Sequence, residues 1–404
     1  MSRYGSKRIT KVAFYLSGHE GGGAAYSTAA LIKSLNRDEF EVHVLCNEDG
    51  QYCEKLRSVA DNVTVLGVGG PRQMQVIEVE KWRHSKLAII GNIGWFGKAV
   101  MKLGRFLKEY DIDIVHSNGG NLSLIAGLAA KKAGIKSVWH RRGLLSKNVP
   151  MGIFLGPLGI VAAMCTDQFI GISQSVVDSM PKSWQKKAAV VYNGIDFAEL
   201  DTKSDTGWLR RKLGIADDSL VVGTVGSVVP IKGHKDFIEA ANILHKGFPD
   251  ALFVAIGGAP ESSRDYQKQL YKLVDSYGLC DCFKWMGNVP GVNRYLGGLD
   301  VLVSATVPPG EGFGLTVVEA MGQGVPVVAT SCGASKELIP DGKGGLIVEA
   351  NQPEKIAQAV SKLLSDKELY RRMARLGQKW SWQNFDIKIT AAKVEKLYHK
   401  LLNM

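Results

Sequence analysis

Residues 301–329 run Val301-Leu-Val-Ser304, then Ala-Thr-Val-Pro-Pro-Gly310, then Glu311-Gly-Phe-Gly-Leu-Thr-Val-Val-Glu319-Ala-Met321, then Gly322-Gln-Gly-Val-Pro-Val-Val-Ala329. A short apolar run, a glycine-flanked loop, a stretch with helical spacing and a second apolar run predict strand, loop, helix and strand. The loop turns into a helix N-terminus, so the backbone N–H groups around Phe313 to Thr316 can face an anion or a sugar hydroxyl. Glu311 stands on the loop, and Glu319 falls about one turn inside the helix, near enough to grip vicinal hydroxyls with both carboxylate oxygens. Taken without its surroundings, the same stretch is also an N-terminal turn with acidic capping.

The same alternation extends in both directions. Lys11 to Leu16, a glycine-rich turn, a helix from Ala24 to Leu35 and a strand from Glu41 to Leu45 form a β-α-β unit. Further strands follow at Val63 to Val68, Ile112 to His116, Ser137 to Trp139 and Phe169 to Ile172, with helices at about 86–110 and 122–133. A second series starts at Leu220-Val-Val-Gly-Thr-Val, with strands at Leu252 to Ile256, Cys282 to Met286, Val301 to Ser304 and Pro326 to Ala329. Helices at about 235–245 and 266–276 separate them. The predicted fold class is therefore α/β, two Rossmann-like domains facing each other across a cleft at the carboxyl ends of their strands. The expected organisation is 1–196 as a first Rossmann-like domain, 197–218 as a linker, 219–380 as a second Rossmann-like domain, and 381–404 as a C-terminal helix returning to the first domain.

The chain's 404 residues exceed the size of one core, which stops growing near about 250–300 residues. A net charge of +11 favours a negatively charged partner, and charge alone does not choose among nucleotide diphosphates, anionic lipid and nucleic acid. The six cysteines (Cys46, Cys53, Cys165, Cys280, Cys282, Cys332) show no Cys-x-x-Cys pair, which predicts reduced thiols, a cytoplasmic setting and no metal site. Met1 to Ile9 is basic with no signal-peptide core behind it. The uncharged stretch between Lys147 and Asp167 is broken by Pro150, Gly152, Gly156, Pro157 and Gly159, so its helical part, Leu158 to Cys165, reads as a buried core helix.

Glu-Gly-Phe-Gly-Leu at 311–315 and Glu-Ala-Met at 319–321 resemble the signature of the retaining glycosyltransferases of family four, which have the GT-B architecture. The resemblance implies that Glu311 contacts the transferred sugar and Glu319 the ribose, with Phe313, Gly314, Leu315 and Thr316 supplying backbone to the donor. It extends over most of the chain. Gly18-His-Glu-Gly-Gly-Gly-Ala-Ala resembles the family's glycine-rich loop, where Gly22 and Gly23 would set bare backbone against donor phosphate or acceptor. His140 resembles the histidine beside the transferred sugar. Asn193-Gly-Ile-Asp196 resembles the segment that closes the first domain. Gly257, Asn288 and Val289 lie in loops similar to those that cup the nucleobase. Gly226-Ser-Val-Val-Pro-Ile-Lys232-Gly233 matches the segment that ordinarily carries an arginine and a lysine for the diphosphate, and Ser227 stands at the arginine position. Arg141 or Arg142 would then supply the missing guanidinium, or else both sit on a solvated face.

What the resemblance implies is a metal-independent, cofactor-free hexosyl transfer with retained configuration, from a UDP- or GDP-linked sugar to a glycan or lipid-linked acceptor in surface polysaccharide or glycolipid biosynthesis. The catalytic candidates are Glu311, Lys232 and His140. Between Lys81 and Lys108, basic residues alternate with an apolar stripe of Ile89, Ile93, Phe96, Val100, Leu103 and Leu107. A helix packed on its own sheet with a solvated face gives the same arrangement, but Trp95 and Phe106 lie off the stripe, which favours an anionic membrane surface or a lipid-linked acceptor; no nucleic acid is expected as partner. Three rivals stay open: a nucleotide-sugar epimerase or phosphorylase of the same shape, a dinucleotide-dependent oxidoreductase, and a non-catalytic binding protein. The oxidoreductase is disfavoured because, counting from Gly21, the third position of Gly-x-Gly-x-x-Gly is Tyr26.

Overall fold

The computed structural model describes residues 8–19, 21–69, 75–76, 83–84, 86–145, 157–200 and 207–403. It divides into two compact units, one of residues 1–172, 176–194 and 390–404, the other of 173–175 and 195–389. The stretch 197–218, read from sequence as a linker, thus falls inside the second unit.

In the first unit the strands are β1 (Thr10–Leu16), β2 (Phe40–Cys46), β3 (Asn62–Val65), a small antiparallel pair β4 (Gln75–Val76) and β5 (Arg83–His84), then β6 (Ile114–Asn118), β7 (Lys136–Arg141), β8 (Gln168–Gly171) and β9 (Ala188–Val190). Apart from that pair they form one sheet in the order β3-β2-β1-β6-β7-β8-β9, every neighbour parallel. Its central strand β1 is apolar on both faces from Val12 to Leu16 because both are covered. In β1, Val12, Phe14 and Leu16 pack in one layer, together with Ala391, Val394 and Tyr398 of the C-terminal helix Ile387–Leu402. Ala13 and Tyr15 enter the opposite layer with Ala99, Leu103 and Phe106.

The second unit repeats the plan with β10 (Val221–Val225), β11 (Leu252–Ile256), β12 (Phe283–Gly287), β13 (Val301–Ser304), β14 (Val327–Thr330) and β15 (Gly345–Val348). Its sheet order is β12-β11-β10-β13-β14-β15, again all parallel. Both sheets reverse chain order beside their first strand, between β1 and β6 and between β10 and β13. The loops leaving each such pair of strands part to opposite faces and open a crevice at the carboxyl ends.

Three sequence expectations need correction. Cys46, at the end of β2, is bonded to Cys53 on the helix Gln51–Leu56, because the turn between them carries the chain back over the strand end; a search for Cys-x-x-Cys spacing overlooks this seven-residue separation. The helix Pro157–Cys165 is not a core helix, since Ala162 is buried but Ile160 and Met164 are each 64% exposed. In the basic segment Phe106 is buried and stacks on Tyr110 at 4.1 Å, while Trp95 Nε1 donates to Gly69 O at 2.8 Å. Those two aromatics therefore pack on their own unit. Lys81, Arg83, Lys86, Ile89 and Ile93 lie outside the described side chains.

Candidate active site

The loops after β10 and β13 hold the charged part of the second unit's crevice. Chain leaving β10 turns through Gly226 to a short 3-10 turn, Pro230–Lys232, and Gly233. Gly233 has φ 66°, and a Cβ there would stand 1.8 Å from Ala305 O just beyond β13, so only glycine lets the two loops touch. Val307 N donates to Ile231 O at 2.9 Å and fastens them. Lys232 lies along Gly226, where a Cβ would come within 3.2 Å of its Cε, and its ammonium forms an ion pair with the Glu311 carboxylate. Both side chains remain about a quarter exposed.

Glu311 itself is fixed through its backbone, with Ala334 N donating to Glu311 O at 3.1 Å. Beyond it Gly314 caps the helix Leu315–Gly322, with no side chain at the cap and no acidic residue in the first turn. The opening amides of Leu315 and Thr316 therefore have no intrahelical acceptor. The Phe313 ring is buried and meets Phe385 edge-on at 5.8 Å. Glu319 is 6% exposed with no cation or hydrogen-bond donor on its carboxylate among the described residues. Burial alone raises its pKa from 4.5 to about 7.

Neighbouring loops complete the wall. Ser227 is exposed, and Val228 N donates to Gly258 O at 3.0 Å. Gly257, with φ 133°, packs so closely that a Cβ would meet Gly226 O at 2.0 Å, and its amide donates to Gly287 O at 2.8 Å. Asn288 Oδ1 accepts from Gly258 N at 2.8 Å, and Val289 follows, half-buried. Every candidate of the second domain thus lies at the carboxyl ends of β10 to β13 or on the helix that follows.

The first unit's candidates occupy the equivalent ends of β1 and β7. Gly22 and Gly23 form the first turn of the helix Gly22–Ser34, which has neither a side-chain cap nor an acidic residue in that turn. His140 is not after its strand but within β7, and it is 1% exposed. Its Nδ1 lies 3.1 Å from His116 Nε2, and His116 Nδ1 lies 2.6 Å from the Tyr398 hydroxyl. Burial, reinforced by the charge of Arg142, pushes both imidazoles well below the ordinary histidine range.

Neither arginine lies on a solvated face. Arg141 is buried, its guanidinium 6.0 Å over the Trp139 ring and donating to Gly143 O at 3.2 Å. Arg142 donates to Asn118 Oδ1 at 3.2 Å, Ser27 Oγ at 3.2 Å and Asn193 Oδ1 at 2.5 Å. Burial lowers both to about 10, which leaves them charged at neutral pH. Asn193, read from sequence as a boundary marker, is thus part of this network. Asn118, His116 and Tyr398 escaped the sequence reading; His116 closes a predicted strand, but nothing in the order of residues ties it to a tyrosine 282 positions later.

The fold agrees with that of known proteins. The sequence model of Glycosyl transferases group 1 matches residues 206–380, and that of Glycosyltransferase Family 4 matches residues 21–199. The chain belongs to the group 1 glycosyl transferases. It is 31% identical over 230 residues to the D-inositol 3-phosphate glycosyltransferase of Corynebacterium urealyticum, covering 55% of this chain and 53% of that protein. The matched part thus spans about half of that relative's length. It is 25% identical to the UDP-Gal:alpha-D-GlcNAc-diphosphoundecaprenol alpha-1,3-galactosyltransferase of Escherichia coli over 90% of each chain. Anabaena HepE, solved with UDP and glucose, superposes with a TM-score of 0.81 at 22% identity, covering 97% of this chain and all of that one. The fold is GT-B, two Rossmann-like domains in one chain.

Proposed function

We propose that this chain is a retaining glycosyltransferase that moves a hexose from a UDP- or GDP-linked donor to a glycan or lipid-linked acceptor in polysaccharide or glycolipid synthesis. The observation that carries the reading is the Lys232–Glu311 ion pair at the point where the second sheet reverses, with Glu319 buried eight positions further on. A donor diphosphate competes with Glu311 for the Lys232 ammonium. When it wins, Lys232 and the amides opening the helix at Leu315 neutralise the departing phosphate, and Glu311 is released to accept hydroxyls of the sugar. Glu319 accepts the ribose hydroxyls, Gly257, Asn288 and Val289 border the base, and Gly22 and Gly23 meet phosphate or acceptor. His140 hydrogen-bonds the transferred sugar. In the transfer the anomeric carbon–oxygen bond to the diphosphate breaks as the acceptor oxygen bonds on the same face, and the acceptor proton passes to the leaving phosphate oxygen. Retention follows from attack on that face, and the leaving group's charge is met by protein cations and amides rather than by a metal.

The donor class is supported by the UDP and glucose bound to HepE and the UDP-galactose named for the Escherichia coli relative. Among the described residues no helix is long and apolar enough to cross a membrane. An anionic membrane surface as partner of a lipid-linked acceptor is supported by Ile160, Met164 and Met101, exposed at 64%, 64% and 51%, on helices of a unit that also carries Lys98, Lys131 and Lys132. The test is a panel of UDP- and GDP-sugars scored by thermal shift and by nucleotide release in EDTA with lipid-linked and glycan acceptors. One or more donors should stabilise the chain, and nucleoside diphosphate should appear with acceptor present but not in Glu311→Ala. Equal release in wild type and Glu311→Ala would remove the proposal.

A further inference from the structure

The first unit holds a chain of three buried polar groups that begins on the C-terminal helix and ends at His140. Tyr398, His116 and His140 are each no more than 1% exposed. The Tyr398 ring is held edge-on by Phe40 at 5.7 Å, and the His116 ring stacks on Phe14 at 4.6 Å, so neither can turn to a different partner without repacking. Tyr398 O to His116 Nδ1 is 2.6 Å, and His116 Nε2 to His140 Nδ1 is 3.1 Å. The remaining nitrogen, His140 Nε2, is buried and has no protein partner among the described residues.

Hydrogens distribute along such a chain in only two ways when both imidazoles are neutral. In one, the Tyr398 O–H donates to His116 Nδ1, His116 Nε2–H donates to His140 Nδ1, and His140 carries its proton on Nε2. In the other, every bond reverses: His140 Nδ1–H donates to His116, His116 Nδ1–H donates to the Tyr398 oxygen, and the tyrosine proton has no acceptor among the described residues. The second arrangement strands a buried O–H as well as leaving His140 Nε2 unpaired, whereas the first leaves only the His140 Nε2–H unmatched. A stranded buried donor costs the desolvation of that group, so the first arrangement is favoured. The neutrality it requires agrees with the lowering of both histidines by burial and by Arg142. The charged groups that act on this chain are Arg142 and, at Tyr398, Glu395.

We propose that Tyr398 and His116 are positioning residues that fix the tautomer of His140, so that its Nε2 is presented as an N–H donor. The role of that donor rests on the reading of His140 as the residue at the transferred sugar; the tautomer itself does not. A donor at this position suits a hydroxyl or ring oxygen of the sugar, whereas a bare nitrogen would instead take a proton. The C-terminal helix is thereby part of the apparatus that orients the sugar.

The experiment uses the full chain with 15N-labelled histidine, assigning the His116 and His140 signals from the His116→Gln and His140→Gln variants. Wild type should show His140 protonated on Nε2 and unprotonated on Nδ1. Tyr398→Phe keeps the ring and removes only the hydroxyl, and should turn His140 into a mixture of both tautomers with the melting temperature little changed. His116→Gln, whose amide can accept from Tyr398 and donate to His140, should restore the wild-type tautomer; His116→Leu should not. With the donor identified by the nucleotide-sugar panel, kcat should fall about fivefold in Tyr398→Phe and His116→Leu with donor KM unchanged, and recover in His116→Gln. His140 protonated on Nδ1 in wild type, or a single unchanged tautomer in Tyr398→Phe, would overturn the proposal. Should His140→Ala keep full kcat while the tautomer behaves as expected, the reading of His140 at the sugar fails and the positioning chain stands.

Discussion

The two sheets reverse chain order in the same way, yet the side chains at the two reversals differ in kind. In the second unit Lys232 and Glu311 face each other across glycine-lined loops, charged and about a quarter exposed. In the first, His116, His140 and Tyr398 are neutral and closed from solvent, and Arg142 donates from Nε and Nη1 to the neutral oxygens of Asn118, Ser27 and Asn193. A partly buried ion pair that stays open to solvent can be exchanged for a ligand's charge. A buried, tightly packed network resists rearrangement and fixes direction instead. The difference teaches that one crevice is arranged to trade charge with an anion and the other to hold a hydrogen-bonding group at a set orientation.

The largest expected effect follows from removing the tradable charge. Lys232→Ala should lower kcat about 10²- to 10³-fold, the usual loss when one group that stabilises developing negative charge is deleted. The measurement is initial-rate kinetics with the donor from the panel, with nucleotide binding checked separately. The reduction should be smaller at a first-unit residue such as Tyr398, which acts only through His140. If Lys232→Ala and Tyr398→Phe lose activity equally, the contrast between the two crevices is wrong.

Within the second unit Glu319 breaks the pattern, because it is a carboxylate buried without a cation. Its pKa is about 7 in the folded chain against 4.5 for an ordinary glutamate. Below pH 4.5 it is protonated in both folded and unfolded chains and costs nothing. As pH rises the unfolded chain loses the proton first, so stability drops through the interval up to about 7 and stays reduced above it. The shift corresponds to a penalty of about 3 kcal/mol at alkaline pH. Glu319→Gln should therefore melt higher than wild type at pH 8, melt alike at pH 4.5, and bind the nucleoside diphosphate more weakly. A melting difference independent of pH would show that folding does not shift the Glu319 pKa and that its carboxylate carries no burial penalty.

Much of this second crevice is legible in the sequence, because it is local. The strand 301–304, the glycine loop and the helix with Glu311 and Glu319 are consecutive, and strand-then-helix periodicity places them. The network of the first crevice is not, because His116, His140 and Tyr398 come from β6, β7 and the last helix, and pairing over such separations leaves no trace in spacing. The exposed face of the helix Pro157–Cys165 was hidden for a related reason. An uncharged run looks the same whether its neighbours cover all of it or leave Ile160 and Met164 open. Trp95 and Phe106 misled in the opposite sense, since a helical wheel cannot show that Gly69 and Tyr110 reach around the stripe to cover them.

The smallest effect tests whether the second crevice has cations to spare. Ser227 stands where the family pattern has an arginine, and it is exposed, while the backbone around it is held by Val228 N on Gly258 O and Val229 N on Ser227 O at 2.9 Å. A larger side chain can therefore be carried at this position without repacking the loop. Ser227→Arg adds a guanidinium near Lys232 and Glu311, able to take two phosphate oxygens at once. It should raise donor kcat/KM by up to about tenfold at low salt, with the gain shrinking as ionic strength rises, because the added charge is open to solvent. A fall in kcat/KM would mean that repulsion of Lys232 outweighs the new contact, and that Lys232 with the helix amides already supplies the charge the phosphate requires. That outcome would also separate the two crevices further, since Arg142 in the first unit is committed to neutral oxygens and a second cation in the other would then be surplus.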